Sequence, residues 1–136
     1  MSPSTVPKDI LIAEDDDDHY FLIKKAMTLS QVKDNLHRVL DGTQLMDFLK
    51  SSPLPDMIIL DLNLPRKDGR QVLRELKADK LYSSIPVAVL TTTVNHEDEI
   101  VSRNLGAKFH FKKPVFLKEY AEIIKSLERC WRNEKN

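Results

Sequence analysis

Three observations predict an α/β fold of the (βα)5 kind, a five-stranded parallel sheet with helices on both faces. Apolar runs alternate with longer amphipathic stretches five times along the 136 residues. Three of the runs, residues 10–13, 57–60 and 87–90, are apolar without interruption, as expected of strands covered on both faces. Each of these three ends abruptly on polar groups: Glu14-Asp15, Asp61, and Thr91-Thr92-Thr93. In a parallel sheet those groups arrive together at the carboxyl edge, where such folds place their sites.

The elements follow in order. The first strand covers residues 9–13. The first helix runs over 17–29 with Tyr20, Ile23 and Met27 on one stripe, and Asp16, Asp17 and Asp18 stand at its start, where carboxylates suit the N-cap and the helix dipole. The second strand, 36–40, mixes Leu, His, Arg, Val and Leu, which marks an edge; Asp41-Gly42 closes it. The second helix, 43–50, stops before Pro53 and Pro55. The third strand, 57–60, leads into a turn carrying Asn63, Pro65 and Gly69. The third helix covers 69–78. Pro86 opens the fourth strand, a position that needs no ladder donor. The fourth helix, 96–104, ends before Gly106, a residue suited to C′. The fifth strand is 108–112, and the fifth helix runs from 116 with Leu117, Tyr120, Ile124, Leu127 and Trp131 at 3-4-3-4 spacing.

Short loops and right-handed crossovers give the flavodoxin-like strand order 2-1-3-4-5, with strands 1 and 3 meeting at the switch point. The expected organisation is one domain over residues 8–131, a flexible N-terminus of residues 1–7 and a tail of 132–136. No repeat, low-complexity segment or linker interrupts it.

Composition narrows the function. Lys+Arg and Asp+Glu both number 21, so the basic excess typical of nucleic-acid binding is missing. No apolar run approaches the roughly 20 residues that span a bilayer. Residues 1–8 lack the apolar core of a signal peptide. The single cysteine, Cys130, has no intramolecular partner, in keeping with a reducing compartment. The expected location is the cytoplasm.

The chemistry lies in the convergent carboxylates. Two like charges at ~4 Å repel by about 4 kcal/mol at an effective dielectric of 20. A proton or a cation must relieve that. An all-oxygen set suits a hard divalent ion such as Mg2+, with Glu14, Asp15 and Asp61 as ligands and the Asn63 carbonyl as a further one. Lys113-Pro114 follows the fifth strand, so Lys113 can reach across the strand ends as a fixed positive charge; a cis bond to Pro114 would aim it inward. Thr91 adds a hydroxyl. A nucleophilic carboxylate, metal-holding acids, a cation and a hydroxyl are what making and hydrolysing an aspartyl phosphate requires.

With Glu14-Asp15, Asp61, Thr91 and Lys113-Pro114 in this order and spacing, the chain resembles the response-regulator receiver domains of bacterial two-component signalling over about residues 8–130. The stretches Asp61-Leu-Asn63-Leu-Pro65 and Leu90-Thr-Thr-Thr93 are similar to the small single-domain regulators that serve bacterial phytochrome kinases. The resemblance implies that Asp61 accepts a phosphoryl group from a sensor histidine kinase of phytochrome type with Mg2+ present, and that Lys113 and Thr91 answer to it. It implies a signalling module that turns over only its own phosphoryl group, not an enzyme. In one place the chain departs from the family. The position three before Lys113, commonly an aromatic that moves with the threonine, is His110, whereas Phe109 and Phe111 face the other way by strand alternation.

The surfaces follow from the same layout. His19, Leu22 and Phe116 are expected on the rim that docks the kinase. No DNA-binding segment follows the domain, so output is expected through contacts with a downstream protein. The fifth helix is apolar over a wide arc, with Ile123 and Cys130 beside the main stripe. A homodimer through helix 4, strand 5 and helix 5, using Ile124, Leu127 and Trp131, is therefore expected; the alternative folds Trp131 back on its own domain. Two competing functions remain. An aspartyl-nucleophile phosphatase would need a second acid where Asn63 stands, and a purely structural receiver would lack one of the five parts.

Overall fold

A computed structural model of the chain describes residues 6–92 and 96–132, Asp98 by its backbone only. Residues 1–5, residues 93–95 with Thr93 among them, and residues 133–136, and with them most of the expected terminal segments, lie outside the described residues.

Ten elements alternate along the chain: β1 (Asp9–Ala13), α1 (Asp17–Leu29), β2 (Asn35–Val39), α2 (Gly42–Ser51), β3 (Met57–Leu60), α3 (Gly69–Ala78), β4 (Val87–Thr91), α4 (His96–Asn104), β5 (Phe109–Lys112) and α5 (Leu117–Trp131). The sheet is parallel in the order β2-β1-β3-β4-β5, as predicted. Its register sets Ala13 beside Leu60 and Thr91 beside Lys112, which brings the polar strand ends to one edge.

Some boundaries move by a residue, each for a local hydrogen-bonding reason. β2 begins at Asn35 because the Asn35 N–H donates to the Lys8 carbonyl at 2.8 Å. It stops before Leu40, whose N–H donates to the Gln44 side chain at 2.7 Å. α2 starts at Gly42 because the Asp41 carboxylate caps it, accepting from the Gln44 N–H at 2.8 Å. Asp16 does the same for α1, accepting from the His19 N–H at 2.9 Å. α4 closes as expected on Gly106, at φ +98°, with the Gly106 N–H on the Arg103 carbonyl and the Ala107 N–H on that of Ser102.

Side chains alternate across the sheet and divide the core into two layers. Leu11, Ile58, Leu60, Val87 and Val89 pack with Leu45 and Leu49 of α2 and with Val72, Leu73 and Leu76 of α3. Ile10, Ile12, Met57, Ile59, Ala88 and Leu90 pack with Ile23, Ala26 and Met27 of α1 and with α5.

This second layer corrects one expectation. Ile124, Leu127 and Trp131 do not face a second copy: they are 0%, 1% and 2% exposed, inside the chain's own core. Trp131 is covered at the helix end by the loop between α1 and β2. The indole N–H donates to Asp34 at 2.9 Å, and Arg132 reaches the same carboxylate oxygen at 2.7 Å. Among the described residues no helix is long and apolar enough to cross a membrane.

Candidate functional site

The site is an extension of the sheet's own hydrogen bonding. Past the end of β1 the Glu14 N–H donates to the Val39 carbonyl at 3.1 Å. Past the end of β3 the Asp61 N–H donates to the Ala13 carbonyl at 3.2 Å. Past the end of β5 the Lys113 N–H donates to the Thr91 carbonyl at 2.8 Å. Each side chain is therefore aimed by backbone that is nearly as fixed as a strand.

Gly69 permits the return path. A Cβ there would stand 2.5 Å from the Asp61 carbonyl oxygen, so only glycine lets the start of α3 approach the Asp61 loop this closely. The Gly69 N–H then closes that loop on the Leu62 carbonyl at 2.9 Å.

Glu14, Asp61 and Lys113 are nearly inaccessible, at 2%, 6% and 6% exposure. The Lys113 ammonium bridges the two acids, 2.5 Å from Glu14 Oε1 and 2.8 Å from Asp61 Oδ2. Burial opposes the ammonium charge, but the bonds to Asp61 and Glu14 outweigh it and hold the Lys113 pKa above its ordinary value. Glu14 moves the other way for an acid. Burial raises its pKa, the Asp61 charge adds to the rise, and Lys113 only partly offsets it.

Carboxylate oxygens of Glu14, Asp15 and Asp61 lie within 4.8 Å of one another. Asp15 faces solvent and completes the mouth of the cluster. An all-oxygen donor set that is acid-rich on its open side fits a hard divalent cation.

The expected residues come together, with three additions. Asp61 Oδ1 accepts from the Asn63 N–H at 3.0 Å, and the Asn63 side-chain amide donates to Thr91 Oγ1 at 3.1 Å, a contact that the sequence reading of Asn63 as a carbonyl ligand did not include. Thr91 is fully buried. His19 Nδ1 lies 2.9 Å from Lys113 Nζ. Arg38 of β2 donates from Nε to the Glu14 carbonyl at 2.9 Å, pairs with Asp17 at 2.8 Å and lies over the Tyr20 ring. The mixed composition of the second strand was the one signal for Arg38; His19 and the Asn63 amide carried none.

His110 pairs in register with Val89, on the Thr91 side of the sheet, whereas Phe109 and Phe111 pack into the α1–α5 layer, as alternation predicts. The bond to Pro114 is trans, like every peptide bond among the described residues. Lys113 points inward because its backbone is anchored on Thr91.

Of the proposed docking residues, Phe116 is 69% exposed, Leu22 packs partly into the α1–α5 layer, and His19 is half-buried on Lys113. Beside Phe116, an open groove of about 670 Å³ runs along α5, its apolar lining made by Phe111, Val115, Phe116 and Ile123.

Comparison with known proteins agrees with this geometry. The family model described as the response regulator receiver domain matches residues 10–125. The response regulator Rcp1 of Synechocystis is 37% identical over 134 residues, covering 94% of this chain and 91% of that protein. The crystal structure of the phosphorylated cyanobacterial phytochrome response regulator RcpA superposes with a TM-score of 0.87 at 35% identity, covering 96% of this chain and 98% of the other. The Mn2+-bound form of Rcp1 superposes at 0.84 with 36% identity, covering 96% and 98%.

Proposed function

The chain belongs to the response regulator receiver domain family, and on that premise we propose that it receives a phosphoryl group on Asp61 from a sensor histidine kinase of phytochrome type and signals through protein contacts in the cytoplasm. One observation carries this reading: Asp61 stands at a strand end, flanked by two acids and joined to Lys113 at 2.8 Å.

An Asp61 oxygen forms the new bond to phosphorus as the phosphorus–nitrogen bond to the donor histidine breaks; the electron pair leaves with the ring nitrogen. Lys113 is held at the equatorial oxygens, where charge accumulates in the transition state. Thr91 supplies a hydroxyl on the opposite side, and the Asn63 N–H keeps the Asp61 carboxylate oriented. Glu14, Asp15, Asp61 and the Asn63 carbonyl would hold a divalent ion such as Mg2+, which would supply positive charge against the phosphoryl oxygens. A phosphorylated relative and a Mn2+-bound one support both elements of the reading.

We propose that turnover is confined to the protein's own phosphoryl group, since Asn63 stands where a phosphatase needs a second acid. Kinase docking involves His19, Leu22 and Phe116. Self-association through the face of α4, β5 and α5 is proposed on its β5–α5 part, where an open groove is lined by Phe111, Val115, Phe116 and Ile123. Sedimentation of wild type and Ile123→Asp, each with and without beryllofluoride, reads the dimer; four monomeric samples at high micromolar concentration end it. Incubation with acetyl phosphate and Mg2+, followed by mass measurement, tests the function. One added phosphoryl group on wild type and none on Asp61→Asn is the expected result, and equal labelling of both overturns it.

A further inference from the structure

We infer that His19 is a positioning residue for Lys113, resting on the reading of Asp61 as the phosphoacceptor. The Lys113 ammonium has three N–H bonds and three acceptors: Glu14 Oε1, Asp61 Oδ2 and His19 Nδ1 at 2.9 Å. A lysine ammonium only donates, so the imidazole accepts through Nδ1 and carries its proton on Nε2.

The three acceptors are not equivalent during phosphoryl transfer. In the proposed reaction Asp61 becomes an acyl phosphate, and Glu14 would be drawn to a bound metal ion. His19 is neither a metal-type oxygen ligand nor the nucleophile, so it alone of the three is unchanged by the reaction. It holds one Lys113 proton while the other two are redirected to phosphoryl oxygens.

The backbone fixes it for this role. His19 is in the first turn of α1, its N–H on the Asp16 cap at 2.9 Å, which presents the ring to the strand ends 94 positions further along the chain. A flexible four-carbon stem such as that of lysine needs such a tether to act as a fixed charge.

The test compares His19→Leu, which removes the acceptor, with His19→Asn, whose amide oxygen takes the place of Nδ1. Labelling by acetyl phosphate at saturating Mg2+ is followed by mass, with Mg2+ affinity measured separately by the melting shift. The Lys113 ammonium signal is observed by nitrogen-15 NMR. Expected for His19→Leu are labelling slower by about tenfold, a Mg2+ affinity within twofold of wild type and loss of the ammonium signal through faster proton exchange; His19→Asn recovers most of the rate and the signal. A His19→Leu protein that labels at the wild-type rate overturns the inference, as does a folded His19→Asn that is as slow as His19→Leu. A wild type that takes no label overturns the phosphoacceptor reading, and this inference with it.

Discussion

The Asn63 side-chain amide donates to the Thr91 hydroxyl at 3.1 Å, and so ties the loop that follows Asp61 to the end of the neighbouring strand. Thr91 is fully buried, so this bond satisfies a hydroxyl with little access to water. Any movement of the hydroxyl toward a group on Asp61 has to break it first.

Removing Asn63 therefore has a cost that depends on Thr91. Asn63→Ala strands a buried hydroxyl and is expected to destabilise the protein by about 1–3 kcal/mol. On a Thr91→Val background the same change should cost less than half as much. Urea denaturation of the four proteins measures the coupling; equal costs in both backgrounds would show that the two residues do not act together.

Metal should stabilise the folded chain by mass action, by about 2.7 kcal/mol at a Mg2+ concentration one hundred times the dissociation constant. Asp15→Ala removes the exposed arm of the acidic cluster and should erase most of that gain while leaving the metal-free melting temperature close to wild type. A full Mg2+ shift in the variant would exclude Asp15 as a ligand.

Glu14→Gln should act in opposite directions with and without metal. The folded pKa of Glu14 is raised above its ordinary 4.5, by burial first. A carboxyl shifted in that sense contributes stability below pH 4.5 and loses it as pH rises through the folded value. At neutral pH its charge thus counts against the fold. The glutamine variant, neutral throughout, should gain on wild type as pH climbs from 4 to 7 in the absence of metal, and fall behind it at pH 7 with Mg2+. Melting series at both conditions check the two signs, and a variant that does not gain on wild type between pH 4 and 7 without metal would contradict the first.

Trp131 should be among the costliest side chains to truncate. Trp131→Ala is expected to lose about 3–5 kcal/mol, since it opens a large void between α5 and α1. Trp131→Phe keeps most of the bulk and loses the bond to Asp34, at about 1 kcal/mol. Chemical denaturation orders the two. A Trp131→Ala protein as stable as wild type would place that ring outside the core.

What could be read from the sequence was what repeats with a short period. Uninterrupted apolar runs marked β1, β3 and β4, and the polar residues that ended them were already Glu14, Asp61 and Thr91. Capping carboxylates at Asp16 and Gly106 at a helix end announced α1 and α4 to the residue. What escaped depended on pairings far apart in the chain. His19 looks like any residue in a solvated first turn until the fold sets Lys113 against it. Trp131 looks like an exposed helix end until Asp34, 97 positions earlier, rises to cap it. Both were read as parts of an outward surface, because periodicity locates a stripe and is silent about which loop covers its end.

The alternation of side chains across the sheet has a consequence for signalling. Lys113, on the α1–α5 side, and Thr91, on the α2–α3 side, flank the same carboxylate but belong to different halves of the interior. On the proposed reading, a phosphoryl group on Asp61 would be felt in both layers, through Lys113 on one side and Thr91 on the other. A substitution confined to one layer would then be expected to weaken the response of the surface on that side more than that of the other.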